Sequence, residues 1–247
     1  MTDSDTPTRG PGAGQPGQQH GDARGEAVDG KVLSAQQHHW AATYAANRDM
    51  YGTSPSAPVV SAAELFTEAG VREVVELGAG QGRDTLYLAE QGFRVHALDY
   101  APGTVEAIRS GTDAAGLAER VSVAQHDVRE PLPFPDNSAD ACYSHMLFCM
   151  ALTSPQLHRL AGEVRRVVRP GGLVVYTART TADPHFRVGI PRGDDMYEHG
   201  GFIVHFFDPA LIKRLASGYE LIDVADLVEG DLPRRLARVT MRVPLTG

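Results

Sequence analysis

The stretch Val74-Val75-Glu76-Leu77-Gly78-Ala79-Gly80-Gln81-Gly82-Arg83-Asp84 restricts this chain more than any other part of it. A short apolar run reads as a buried strand. Glycines at every second position then break it, and a helical pattern follows. A strand that feeds a helix through a glycine turn is half of a βαβ crossover, which commits the chain to a parallel sheet with helices on its faces. The loop carries almost no side-chain bulk, so a ligand can lie directly against its backbone. One acid, Glu76, precedes the loop. A second, Asp99, ends the next expected strand.

The alternation continues along the chain. Strands are expected at Glu73–Leu77, Arg94–Leu98, Val121–Gln125, Ala139–Ser144, Leu173–Thr177, Tyr219–Ala225 and Ala237–Val243. Helices are expected at Glu64–Ala69, Asp84–Gln91, Pro102–Ser110, Ser154–Val168 and Pro209–Ala216. Gly92 is a helix stop signal, Ser154 a cap ahead of Pro155, and Asp208 a cap ahead of Pro209. No clear helix separates the last two strands, so they read as an antiparallel pair closing the sheet. The fold class is therefore α/β: a doubly wound, Rossmann-like, seven-stranded and mostly parallel sheet with the last strand antiparallel. An extra N-terminal helix, Ser34–Asn47, precedes it and places Trp40 and Tyr44 on one face.

Residues 1–30 are rich in Gly, Pro, Gln, Asp and Thr, and cannot bury enough apolar surface to offset their ordering entropy; they read as a disordered tail. Residues 31–247 form one expected domain. It divides into a helical lid (31–58), a core (59–179), an insertion (180–208) and a closing helix with two strands (209–247). The formal net charge of -8 disfavours nucleic acid as a partner. No apolar run is long enough for a membrane span, and the N-terminus has no secretory pattern, so a cytoplasmic location is expected. Cys142 and Cys149 make neither a disulfide framework nor a zinc site, and read as small core residues.

Spacing narrows the ligand. A dinucleotide fingerprint needs G-x-G-x-x-G, and Arg83 stands where its third glycine would be. A P-loop needs Gly-Lys-Ser/Thr, which is absent. The G-x-G-x-G of Gly78, Gly80 and Gly82, preceded by Glu76, resembles the first motif of the class I S-adenosylmethionine-dependent methyltransferases. The resemblance covers about residues 60–243. It implies S-adenosyl-L-methionine as cofactor. Asp99 then matches the acid that holds both ribose hydroxyls, and Tyr100 is placed to pack on adenine for about 1 kcal/mol. Asp127 matches the acid at the adenine amine, with the Val128 N–H at a ring nitrogen. Competing readings are a surface turn for Tyr100 and a turn-forming role for Asp127. Tyr44, on the appended helix, is placed over the pocket.

Leu132-Pro133-Phe134-Pro135-Asp136-Asn137-Ser138 and Val168-Arg169-Pro170-Gly171-Gly172 resemble segments shared by small-molecule members. The chain looks like the tellurite-resistance and thiopurine type through Asp49-Met50-Tyr51-Gly52, and like the quinone or natural-product type through Leu-Pro-Phe-Pro-Asp. Tyr143-Ser144-His145-Met146-Leu147-Phe148 holds no Asn/Asp-Pro-Pro-Tyr/Phe motif and no Pro-Cys nucleophile. Adenine N6, glutamine amides and cytosine C5 are disfavoured as acceptors.

Orientation drives methyl transfer, with histidine the natural base if a proton must leave. His145, next to the expected methyl position, joins both the cofactor and the catalytic candidates. His199 and His205, in the aromatic insertion, complete the catalytic set. Asp194, Asp195, His199 and His205 match no metal spacing. The expected function is methylation of a small-molecule acceptor by a monomer or homodimer, with no nucleic-acid or membrane partner. Methylation of a tRNA or protein, and a non-catalytic cofactor-binding regulator, are the alternatives.

Overall fold

The structure, a computed structural model, describes residues 30–48, 50–230 and 234–245. The expected tail (all but Gly30) lies outside them, as does Asp49. Helices α1 (Gly30–Ala46) and α2 (Ala57–Glu68) precede β1 (Glu73–Leu77), α3 (Arg83–Glu90), β2 (Arg94–Asp99), α4 (Pro102–Ala115) and β3 (Val121–Gln125). Then come β4 (Ala139–His145), α5 (Ser154–Val167) and β5 (Val168–Arg179). An insertion carries β6 (Ile190–Pro191), β7 (Met196–His199) and β8 (Phe202–His205). Helix α6 (Pro209–Leu215), β9 (Glu220–Glu229) and β10 (Arg234–Arg242) close the chain.

Seven strands form one sheet in the order β3-β2-β1-β4-β5-β10-β9. Strands β1 to β5 are mutually parallel, and β10 runs antiparallel to both β5 and β9. This is the expected α/β, Rossmann-like fold. The chain winds outward from β1 to β3, then returns to place β4 on the other side of β1. That reversal opens a crevice at the carboxyl ends of β1 and β4.

Alternation along each strand fills two apolar layers. Val74, Val95, Ala141, Tyr143 and Val175 pack against α2, α3 and α4 through Val59, Phe66, Leu88 and Ile108. Val75, Cys142, Val174, Tyr176 and Val239 face α5 and α6 through Leu157, Leu160, Val164 and Leu211. Cys149 lies in the same layer as Cys142, and both are free thiols. No helix among the described residues is long and apolar enough to cross a membrane.

Several boundaries differ from expectation for local reasons. Helix α2 starts at Ala57 because the Ser56 hydroxyl accepts from the Val59 N–H, with Pro58 in the first turn. The cap of α5 is Thr153, not Ser154. Gln156 bonds the Thr153 N–H at 2.8 Å in a reciprocal capping box. Helix α4 continues to Ala115, where Gly116 takes a left-handed conformation. The insertion, expected only as a loop, contains a small antiparallel sheet, β6-β7-β8. Strands β9 and β10 are longer than expected and reach past the sheet toward the crevice.

Candidate functional site

A cavity of about 630 Å³ occupies the crevice. Its floor is the loop after β1. With positive φ at Gly78, Gly80 and Gly82, the loop turns sharply into α3. A Cβ at Gly78 would lie 2.7 Å from Leu147 Cβ, and one at Gly82 would lie 2.7 Å from Ile108 Cγ1. Gly78 and Gly80 line the cavity. Gly82 does not; it lets α3 seat on α4. The Gly78 and Ala79 N–H groups both donate to the Leu98 carbonyl, at 2.8 and 3.1 Å, which fixes the loop against β2.

Three buried acids underlie this floor. Asp99, 7% exposed, accepts from the Gly80 N–H and the Ala101 N–H, each at 2.9 Å. Burial raises its pKa, and the backbone donors of Ala101, Gly80 and Tyr100 oppose that rise. Glu76, 2% exposed, accepts from Thr85 Oγ1 at 2.5 Å. Burial, with Asp84 and Asp99 nearby, pushes its carboxyl up to about 8 despite the Thr85 bond. Asp84, absent from the sequence expectations, is tied by the Ser56 N–H at 2.8 Å, Ser56 Oγ at 2.7 Å and Tyr143 OH at 3.1 Å. It anchors α2 to α3 and lines the cavity. Its one sequence signal was an acid in the first turn of a helix.

Tyr100, His126, Asp127, Val128 and Arg129 line one end. The Asp127 carboxylate is held by Arg129, whose Nε lies 2.9 Å from both oxygens. Burial alone would raise the Asp127 pKa; Arg129 outweighs it and leaves the net shift downward. Asp127 therefore presents an already paired carboxylate, which the sequence did not indicate. His126 Nε2 is buried without a partner among the described residues.

At the other end stands His145. Its Nδ1 lies 2.8 Å from Thr177 Oγ1 and its Nε2 3.2 Å from Glu229 Oε1. The next residue, Met146, holds φ 64 while its N–H donates to the same Thr177 oxygen at 3.0 Å. Positive φ at a non-glycine residue stores strain of about 1–3 kcal/mol, here at the cavity wall. Glu229, Gly230 and Arg234 enter this end from the β9–β10 hairpin. Sequence reasoning missed all three, because no local pattern brings that hairpin to the glycine loop.

Helix α1 forms the outer wall. Tyr44, Trp40 and Gln36 line the cavity, and a Cβ on Gly80 would sit 3.2 Å from the Tyr44 hydroxyl. Gln37 Nε2 donates to the Tyr100 carbonyl at 2.7 Å. Gln36 donates to the Gly201 carbonyl at 2.9 Å and accepts from the Ile203 N–H at 3.1 Å. The Phe202 ring meets His39 at 4.3 Å and Trp40 at 4.6 Å between centroids. Helix α1 thus bridges the core and the inserted sheet.

Of the expected site residues, the structure gathers Tyr44, Glu76, Gly78, Gly80, Asp99, Tyr100, Asp127, Val128 and His145 around one cavity. Gly82 stands behind it. His199 and His205 do not join it. His205, 2% exposed, bonds the Leu152 carbonyl through Nδ1 at 2.7 Å, and burial lowers its pKa. His199 is exposed and stacks on His185 at 5.3 Å. Among the described residues, no group of three or more His, Cys, Asp or Glu is placed to hold a metal.

Comparison with known proteins agrees with this geometry. Residues 74–172 match the family described as methyltransferase domain. An uncharacterized methyltransferase of Mycobacterium tuberculosis is 36% identical over 118 residues, covering 48% of this chain and 44% of that protein. The chain thus spans less than half the length of this relative. Among solved structures, the 1,6-didemethyltoxoflavin-N1-methyltransferase of Burkholderia thailandensis, with S-adenosylhomocysteine bound, superposes with a TM-score of 0.66. It is 21% identical, over 87% of this chain and 89% of that one. The N-methyltransferase NodS of Bradyrhizobium japonicum, also with S-adenosylhomocysteine, gives 0.62 at 14% identity, over 86% and 99%. The glycine loop and the acids near the ends of β1 and β2 all fall within residues 74–172, the stretch matched as a methyltransferase domain, and over it the chain is similar to S-adenosylmethionine-dependent methyltransferases.

Proposed function

We propose that this chain transfers the methyl group of S-adenosylmethionine to a small-molecule acceptor. One observation carries the proposal: a single cavity runs from the Gly80–Asp99 floor to a walled end at His145, Met146, Met150 and Leu152. The floor fits the cofactor. Asp99 has a fixed carboxylate for a ribose diol, and the glycine loop leaves room for a chain on its backbone. Tyr100 and Val128 flank the adenine end. There Asp127 acts with Arg129, and His126 Nε2 offers an unused ring nitrogen.

Bound there, the cofactor supplies an electrophilic methyl group on a sulfonium. The chain's own residues orient the acceptor and exclude water. Helix α1 walls the cavity through Tyr44, Trp40 and Gln36, so residues 31–58 serve as its lid; the insertion (180–208), expected to cover substrate, contributes no lining residue and instead braces α1 through Gly201, Phe202 and Ile203. A cavity of this size, walled by α1, suits a small planar or partly apolar acceptor rather than a polymer. The basic cluster that would favour a polymer is largely neutralised. Arg166 pairs with Glu163 and Asp136, and Arg169 with Asp140.

The test is a methyl-transfer screen with labelled cofactor against phenols, thiols, amines and chalcogen oxyanions. Label in a small-molecule product supports the proposal. Label entering only RNA or protein from a mixed extract contradicts it. Tight cofactor binding with no transfer to any acceptor would favour a regulator.

A further inference from the structure

The hairpin tip places a carboxylate beside His145. Glu229 ends β9 and is the cross-strand partner of Arg234 at the start of β10. Both line the cavity. Glu229 Oε1 lies 3.2 Å from His145 Nε2 and 3.6 Å from a nitrogen of Arg83. Both of these contacts are made by Oε1.

The hydrogen bonds around His145 assign its proton. A carboxylate can only accept, so the ring N–H that faces Glu229 Oε1 at 3.2 Å is on Nε2. Nδ1 is left to meet the Thr177 hydroxyl, whose oxygen also accepts the Met146 N–H. Both ring nitrogens are engaged. The group left to meet an acceptor is the carboxylate, not the ring.

We propose that Glu229 is a catalytic residue that takes the proton of the methyl acceptor, that His145 positions it, and that the acceptor is an acidic hydroxyl of the phenol or enol class. The inference rests on the methyltransferase reading above. In the step, the acceptor O–H bond breaks and its proton passes to Glu229 Oε2. The oxygen lone pair forms the new O–CH3 bond. The electron pair of the S–CH3 bond stays on sulfur, leaving a neutral thioether. The proton then leaves to solvent, since the Glu229 side chain is 23% exposed.

The surroundings select this class. Among the described residues, the titratable and charged groups facing Glu229 are His145 from β4, Arg83 from α3, Arg234 from β10 and Tyr51 from the segment before α2. Arg83, 3.6 Å from Glu229, and Arg234, its cross-strand partner, both line the cavity; their charge favours a developing oxyanion over an amine, which becomes cationic on methylation. Burial would raise the Glu229 pKa. The His145 hydrogen bond, with Arg83 and Arg234, outweighs burial and holds the carboxyl below its usual range. So weak a base cannot deprotonate an aliphatic alcohol. It can serve a hydroxyl whose own acidity is already high. Thiols ionise near neutral pH without such help.

The probe is 1-naphthol, with 1-naphthylamine as its isosteric control. The full chain is loaded with S-adenosylhomocysteine for binding and with labelled cofactor for turnover. Wild type should bind 1-naphthol at least about tenfold more tightly than 1-naphthylamine. Glu229→Gln should keep cofactor affinity within about twofold while transfer to 1-naphthol falls by about a hundredfold or more. His145→Leu should move the acid limb of the pH–rate profile to higher pH, because it removes the bond that keeps Glu229 ionised; a purely structural role would leave that limb in place. Three results would overturn the proposal: transfer by Glu229→Gln within about threefold of wild type, 1-naphthylamine bound or methylated at least as well as 1-naphthol, or no transfer to 1-naphthol by a protein that binds the cofactor. Failure of wild type to bind S-adenosylhomocysteine would instead remove the methyltransferase reading itself.

Discussion

Glu76→Gln isolates one consequence of burying an acid beneath the glycine loop. The Glu76 carboxyl shifts from 4.5 to about 8, chiefly through burial and then through Asp84 and Asp99. A raised carboxyl binds its proton more tightly in the folded state than in the unfolded one. Its contribution to stability is therefore complete below the unfolded value and is lost as pH rises through the folded value. At about 1.4 kcal/mol per pH unit, the full span amounts to about 5 kcal/mol, and the stretch from about pH 5.5 to about pH 7.5 to about 2–3 kcal/mol. Glutamine has nearly the same shape, stays neutral, and its Oε1 can still accept from Thr85 Oγ1, now 2.5 Å from the glutamate oxygen. The assay is urea denaturation of wild type and variant across that pH range, at constant slope with denaturant. The stability of Glu76→Gln relative to wild type should increase by about 1 kcal/mol or more per pH unit. The same acid should release a proton when a cationic cofactor binds above it, read as a buffer-dependent binding enthalpy that Glu76→Gln abolishes. A stability difference that stays level within about 0.5 kcal/mol over the whole range would refute the reasoning.

Three further substitutions test separate links. Gly78→Ala would force a Cβ to 2.7 Å from Leu147 Cβ at positive φ, so stability should fall by about 1–3 kcal/mol and cofactor affinity with it, measured by thermal melting and calorimetry. Thr153→Ala removes the α5 capping box and should cost about 1 kcal/mol in urea denaturation, with cofactor affinity unchanged. Gln36→Ala breaks both bonds from α1 to the inserted sheet, so amide exchange in α1 should speed up by about tenfold while exchange in β1 and β4 stays as in wild type.

The core of the fold was legible because its residues obey short-range rules. Val74 and Val75 enter opposite layers, as alternation requires, and the glycines after Leu77 break the strand where the sheet needs a turn. Asp99 and Asp127 were readable for the same reason: Asp99 ends β2 and Asp127 stands just past β3. What escaped depends on contacts between distant segments. Strands β6, β7 and β8 have only two to four residues each, too few for a pattern to emerge. Asp84 looks like an ordinary first-turn acid until Ser56 and Tyr143 close on it. His205 suggested a lid residue by composition, yet it lies at the buried end of β8 and bonds Leu152. Gly82 belongs to the motif but serves packing against Ile108. Glu229 and Arg234 fall outside the expected strands, which stop at Ala225 and resume at Ala237, and their place at the cavity is set by the greater length of the β9–β10 hairpin.

The central claim is that the floor formed by the glycine loop and Asp99 holds S-adenosylmethionine. Calorimetric titration of the cofactor into wild type and into Asp99→Ala tests it most directly. Wild type should show saturable binding at one site. Loss of the carboxylate that now orders the Gly80 and Ala101 N–H groups should weaken that binding by about tenfold or more. Absence of binding by wild type at about millimolar cofactor, or equal affinity in the two proteins, would contradict it.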